Sequence, residues 1–232
     1  MIKNAAVSAF NSLAADYDAW FEGEGKLIFA IEVRALEEIL PSLPKPWLEV
    51  GVGSGRFAQA LGIESGIDPS IKLLEIATSR GVSAFLSTGE RMPFGEGALG
   101  TVFLIVTLCF LDSPLDVLQE THRILAPEGE LVLALVLKES PWGKFYQRKK
   151  GKGHRFYRYA TFYRYEEVIS LLARAGFAPK RIVSTLFQQP GKVEHREEPK
   201  RGYFPEAGFT VIVAGKIHGE QHSKEGGADF GS

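Results

Sequence analysis

The stretch Leu48-Glu49-Val50-Gly51-Val52-Gly53-Ser54-Gly55-Arg56-Phe57-Ala58-Gln59-Ala60-Leu61 sets three glycines at alternate positions between an apolar run and a helical one. Glycine is costly to order, and it recurs where a chain bends tightly or a ligand must approach the backbone. Trp47 to Val50 reads as a short buried strand, and Ser54 is placed to cap a helix running to about Leu61. Ser65-Gly66-Ile67-Asp68-Pro69-Ser70 follows, with Ile67 in a brief strand and Pro69 opening a helix through IKLLEIATSR. Strand, glycine turn, helix and strand make a βαβ unit.

The alternation continues outward from that unit. VSAFLS gives a third strand, TVFLIVTL a fourth, PLDVLQETHRIL a helix and GELVLALVL a fifth strand. Their unbroken apolar runs suit strands buried on both faces. EEVISLLARAGF is helical with a stop at Gly176, and RIVSTLF and FTVIVAGK close the sheet. Upstream, residues 3 to 21 and KLIFAIEVRALEEIL carry helical spacing before Pro41 and Pro44. The expectation is an α/β, Rossmann-like, doubly wound and mostly parallel seven-stranded sheet with helices on both faces. Residues 1–45 form an N-terminal helical segment, 46–216 the core domain, and 217–232 a tail expected to be disordered.

With 232 residues, 45% hydrophobic and 24% charged, the chain can bury one substantial core. Lys and Arg number 27 against 28 Asp and Glu, so a formal charge of −1 gives no whole-chain attraction to nucleic acid or a membrane. One cysteine, Cys109, excludes an intramolecular disulfide framework and a Cys-rich zinc site, and fits a reducing compartment. The apolar run Thr101 to Leu111 is too short to span a bilayer, and MIKNAAVSAF lacks the apolar segment of a signal peptide. A cytoplasmic protein is expected.

The ligand follows from spacing and from two acids. A dinucleotide fingerprint, G-x-G-x-x-G, needs glycine where Arg56 stands, which leans away from NAD and FAD. Glu49 lies two residues before the first glycine, where a carboxylate meets an ammonium and repels a pyrophosphate. Asp68 follows the second strand, where an acid accepts bonds from ribose hydroxyls. A cationic amino acid joined to a nucleoside fits both. The plain alternatives are a ligand-free turn, a Glu49–lysine pair and Asp68 in a helix cap.

The chain resembles the class I S-adenosylmethionine-dependent methyltransferases, type 11-like, in the small-molecule branch that includes ubiquinone and menaquinone biosynthesis. LEVGVGSG, GIDPS, STGERMPF and PLDVLQETHRILAPEGELVL carry the resemblance, which runs from about Phe10 to Lys216. It implies S-adenosylmethionine as cofactor, with its methionine end on Glu49, Gly51, Gly53 and Gly55, its ribose on Asp68, and its adenine flanked by Ile67 or Pro69. STGERMPF resembles a family segment whose acid contacts adenine; Thr88 takes that place here, which passes the contact to the backbone of Gly89 and Glu90. Thr107, at the end of strand four, joins the implied cofactor set. Cys109 and Phe110 stand where many relatives carry a His pair. FNSLAADYDAWF resembles the family's lid, with Tyr17 and Trp20 closing over the site; both also suit the core face of an amphipathic helix.

Methyl transfer from a sulfonium needs alignment and exclusion of water rather than a triad or a metal, and no metal site is expected. Asp112 and His154 are the candidates for proton removal; each also reads as a solvated side chain or a cap. Trp142 to Arg164, within an insertion at about 138–165, holds eight Lys or Arg, eight aromatics and no acid. It is expected to cover a small-molecule acceptor, with Phe156 and Tyr159 on an apolar or aromatic body and Arg155 or Arg158 on an anionic group. A docked basic loop, or a grip on RNA or protein, is the alternative. An NAD-dependent oxidoreductase and a non-catalytic S-adenosylmethionine-binding protein stay open as rival readings.

Overall fold

Side-chain alternation along one four-residue strand divides the molecule into its two cores. β1 (Trp47–Val50) is buried throughout. Leu48 and Val50 join one apolar cluster, and Trp47 joins the other. In the computed structural model, which describes residues 4–217, that strand lies at the centre of the sheet.

The other strands are β2 (Ser65–Asp68), β3 (Ser83–Leu86), β4 (Leu99–Ile105), β5 (Leu125–Leu135), β6 (Phe177–Thr185), β7 (Lys200–Arg201) and β8 (Phe209–Lys216). Their order is β3-β2-β1-β4-β5-β8-β6-β7. The first five run parallel, and β8 lies antiparallel between β5 and β6. The sheet therefore has eight strands rather than seven. The additional one, β7, pairs only Lys200 and Arg201 with β6, and two exposed basic residues give no apolar run to read.

Among the described residues eight α-helices surround the sheet: α1 (Asn4–Ser12), α2 (Ala14–Trp20), α3 (Lys26–Glu37), α4 (Arg56–Leu61), α5 (Ile71–Ser79), α6 (Pro114–Ile124), α7 (Pro141–Gly151) and α8 (Tyr165–Arg174). The cluster on one face draws on α3, α4, α5 and α7, and the other on α6 and α8. Three helices rather than two precede β1, because the chain breaks at Leu13. The basic segment forms α7 and a 3-10 turn at Tyr157–Tyr159. Trp142 is 2% exposed and donates its indole N–H to the Gln188 carbonyl at 2.8 Å, so this segment is anchored by its aromatics. Apart from Ile217, the expected tail lies outside the described residues. No helix among the described residues is long and apolar enough to cross a membrane.

From β1 the chain builds β2 and β3 to one side, then returns to lay β4 on the other. Such a reversal opens a crevice beyond the carboxyl ends of the two central strands, and ligands of open α/β sheets bind there.

Candidate active site

The crevice floor is the glycine loop. Gly51, Gly53 and Gly55 have φ of +75°, +53° and +77°, a left-handed conformation that other residues avoid. Two of them serve different ends. A Cβ on Gly55 would stand 3.0 Å from Ala77 Cα, so this glycine lets α4 pack on α5. At Gly53 the nearest atoms would be those of the Tyr17 ring, at 3.7 Å, so this one faces the cavity. The helix begins at Arg56, and Ser54 does not cap it: the left-handed Gly55 occupies the capping position and no side-chain cap bond forms.

Two carboxyls border the floor. Asp68 accepts from Gly53 N at 3.0 Å through Oδ2 and from Ser70 N at 2.7 Å through Oδ1. Each oxygen keeps acceptor capacity after those bonds. Burial pushes the Asp68 carboxyl up to about 6 against the pull of the two amides. Glu49 is 2% exposed, and its Oε2 has no hydrogen-bond partner. Burial, and then the charge of Asp68, hold Glu49 well above the usual carboxylate range, while the amide of Ala58 pulls the other way. No lysine pairs with Glu49 among the described residues.

A cavity of about 690 Å³ rises from this floor. Ile67, Pro69, Thr88, Gly89 and Glu90 line one flank, and Val106, Thr107, Cys109 and Asp112 another. Thr107 is buried against the loop, its hydroxyl donating to the Ile105 carbonyl at 3.1 Å. Val106 has φ +52°, an outlier for a β-branched residue, held by its N–H bond to Ala134 O at 2.7 Å.

Over the floor the two segments that the sequence treats separately meet. Phe10 stacks on Phe156 at 5.1 Å, and Tyr17 packs edge-on against both. Arg155 pairs with Asp16 at 2.6 Å. Trp20 and His154 also line the cavity. His154 Nδ1 accepts from the backbone N–H groups of Phe156 and Tyr157 at 3.3 and 3.4 Å. That bonding assigns its proton to Nε2, and burial, with Lys149 and Arg155 nearby, lowers its pKa. Arg158 lies over the Tyr159 ring at 5.3 Å, and neither lines the cavity.

Two features escape sequence reasoning. Arg56, placed where a dinucleotide site would need glycine, grips Asp18 of α2 with two 2.8 Å bonds and also reaches Glu22. Arg80 joins the same carboxylate at 2.7 Å and holds the Ser54 carbonyl at 2.6 Å. The second feature is Glu32 on α3, which lines the inner end of the cavity and is 7% exposed. Its position one turn after Ile28 and one turn before Leu36 is the available signal: an acid on an apolar stripe.

Chemically, the floor offers a buried carboxyl with one unpartnered oxygen, a second acid with free acceptor sites and a side-chain-free backbone. That donor and acceptor set suits a ligand with a cationic end and vicinal hydroxyls. Residues 48–133 match the methyltransferase domain family. An uncharacterised protein of Mycobacterium tuberculosis is 39% identical over 211 residues, which cover 90% of this chain and 74% of that one. Another from Methanocaldococcus jannaschii is 34% identical, over 91% of this chain and all of that one. A solved structure from Thermotoga maritima, described as an S-adenosylmethionine-dependent methyltransferase and possible histamine N-methyltransferase, superposes with a TM-score of 0.84. It is 35% identical, across 90% of this chain and 99% of that one. With fold, glycine loop and relatives in agreement, the chain belongs to the class I S-adenosylmethionine-dependent methyltransferases.

Proposed function

We propose that this methyltransferase acts on a small-molecule acceptor enclosed with the cofactor under a lid made of α1, α2 and residues 142–163. One observation carries the reading: a single cavity runs from the glycine floor to an inner aromatic chamber formed with Trp142, Tyr146 and Phe162. A chamber walled in this way suits a small guest better than a polymer strand, which needs an open basic groove.

In this reading Glu49 meets the ammonium of the methionine end, the amides of the glycine loop border it, and Asp68 accepts from the ribose hydroxyls. Ile67 and Pro69 flank the adenine, near the backbone of Gly89 and Glu90, and Thr107 supports the loop from below. When bound, S-adenosylmethionine supplies a methyl group activated by its cationic sulfur. The chain's own contribution is alignment and dryness: Tyr17, Phe10 and Phe156 pack into an aromatic roof that shields the floor from bulk water. Burial, with the charges of Asp68 and Glu49, pushes the Tyr17 hydroxyl far up, so Tyr17 stays a neutral phenol. His154, with Nδ1 already accepting, has no free acceptor nitrogen in this arrangement. Asp112 lines the cavity and remains a candidate for removing an acceptor proton.

The test is label transfer from methyl-labelled S-adenosylmethionine into a cell extract split into low-molecular-weight, protein and RNA fractions. Label is expected in the low-molecular-weight fraction. Label confined to protein or RNA would refute the small-molecule reading.

A further inference from the structure

The inner chamber is lined by a carboxyl that cofactor binding does not use. Glu32 is 7% exposed, and no lysine or arginine among the described residues pairs with it. Burial alone raises its carboxyl to about 8. Around it stand three tyrosines, Tyr17, Tyr146 and Tyr157, whose hydroxyls all feel the charge of Glu32. The Tyr146 and Tyr157 rings pack against each other with centroids 4.4 Å apart. Trp142 packs against Tyr146 at 5.8 Å.

An acid kept in a dry aromatic box without a cation destabilises the free protein when it ionises. An incoming ammonium supplies the missing charge and the N–H donors together, and aromatic faces attract the same cation. With its carboxyl raised to about 8, Glu32 is mostly protonated at neutral pH in the free protein; an ammonium draws it into the ionised form, which neither a carboxylate guest nor an alcohol can do. Of the three lysine and arginine side chains that line the cavity, Arg56 is held by Asp18 and Glu22, and the other two make contacts within the lid. Arg155 pairs with Asp16, and Lys149 lies over the Phe145 ring at 4.8 Å.

We infer that Glu32 determines acceptor specificity, selecting an amine whose apolar or aromatic body lies against Trp142 and Tyr146 while its nitrogen reaches the Glu32 carboxyl. The inference rests on the small-molecule reading above and names its substrate class.

The experiment titrates matched amine, alcohol and carboxylate probes on three bodies, octyl, 3-phenylpropyl and 2-(indol-3-yl)ethyl, into protein saturated with S-adenosylhomocysteine. In at least one series the amine is expected to bind about tenfold or more tighter than either the alcohol or the carboxylate. Glu32→Gln should abolish that preference while S-adenosylhomocysteine affinity stays within about threefold of the parent. Glu32→Leu is run beside it, so that the result does not depend on one variant's folding. Equal amine and alcohol affinity in all three series, or a preference that survives both substitutions, would overturn the acceptor assignment. Failure of the parent to bind S-adenosylhomocysteine would instead overturn the cofactor reading beneath it.

Discussion

Replacing Asp18 with alanine cuts the connection between the N-terminal helices and the cofactor loop. The carboxylate takes two bonds from Arg56 and one from Arg80, all between 2.7 and 2.8 Å. Burial opposes its charge, but the hydrogen bonds from Arg56 and Arg80 outweigh that and hold it well below the usual carboxylate range. Losing one partner of a fully buried ion pair costs about 3–5 kcal/mol. Here the three side chains are 15–16% exposed, Arg56 keeps Glu22, and Arg80 keeps the Ser54 carbonyl. We therefore take about 2–3 kcal/mol. Asp18 adjoins Tyr17, whose ring stands over Gly53, so the loss should fall on closure of the roof rather than on the two cores. S-adenosylhomocysteine affinity, measured calorimetrically, should then drop about 30- to 150-fold. If the same energy fell on global stability, the melting temperature would drop by about 4–12 °C. Affinity within twofold of the parent, accompanied by that melting shift, would refute the latch and leave Asp18 as a structural staple.

Asp68→Ala should weaken S-adenosylhomocysteine binding by about 2–4 kcal/mol, or roughly 30- to 1000-fold, through two lost charge-assisted bonds. Its carboxyl is raised to about 6, so it stays charged above that pH and takes up a proton below it; as pH drops through 6 parent affinity should fall more steeply than that of Asp68→Ala, which keeps only the pH dependence due to Glu49. Glu49 holds its proton well above the usual range in the free protein, and an ammonium would favour its release. Calorimetry in phosphate and Tris buffers at pH 7 should reveal proton release on S-adenosylhomocysteine binding, absent in Glu49→Gln. Gly53→Ala has φ +53° to accommodate but no clash with the protein, so it should lose only about 1–2 kcal/mol of stability, read by denaturant melts, while cofactor affinity falls disproportionately.

What can be read from the sequence is local or apolar. β4 and β8 are buried along nearly their whole length, and strands of that kind print themselves as unbroken apolar runs. Asp68 and Glu49 are legible because both lie within a few residues of the strand ends that flank the glycines. β7 is not, since Lys200 and Arg201 pair only because the chain returns to β6. The Asp18–Arg56 contact spans 38 positions, and the packing of Phe10 on Phe156 many more, so neither leaves a local pattern. Glu32 is hidden for another reason. Within KLIFAIEVRALEEIL it looks like one of several solvated helix acids, and only its place beside Ile28 and Leu36 sets it apart. Ser54 misleads because serine before a helix suggests a cap, whereas the left-handed Gly55 already fills that position.

A crystal structure of the protein with S-adenosylhomocysteine would test the cofactor's placement without intermediaries. Both ribose hydroxyls are expected within hydrogen-bond distance of the Asp68 carboxylate, the ammonium on the Glu49 side of the glycine loop, and the sulfur facing the chamber that contains Glu32. A ligand lying with its adenine in that chamber, or with its ribose away from Asp68, would contradict that placement.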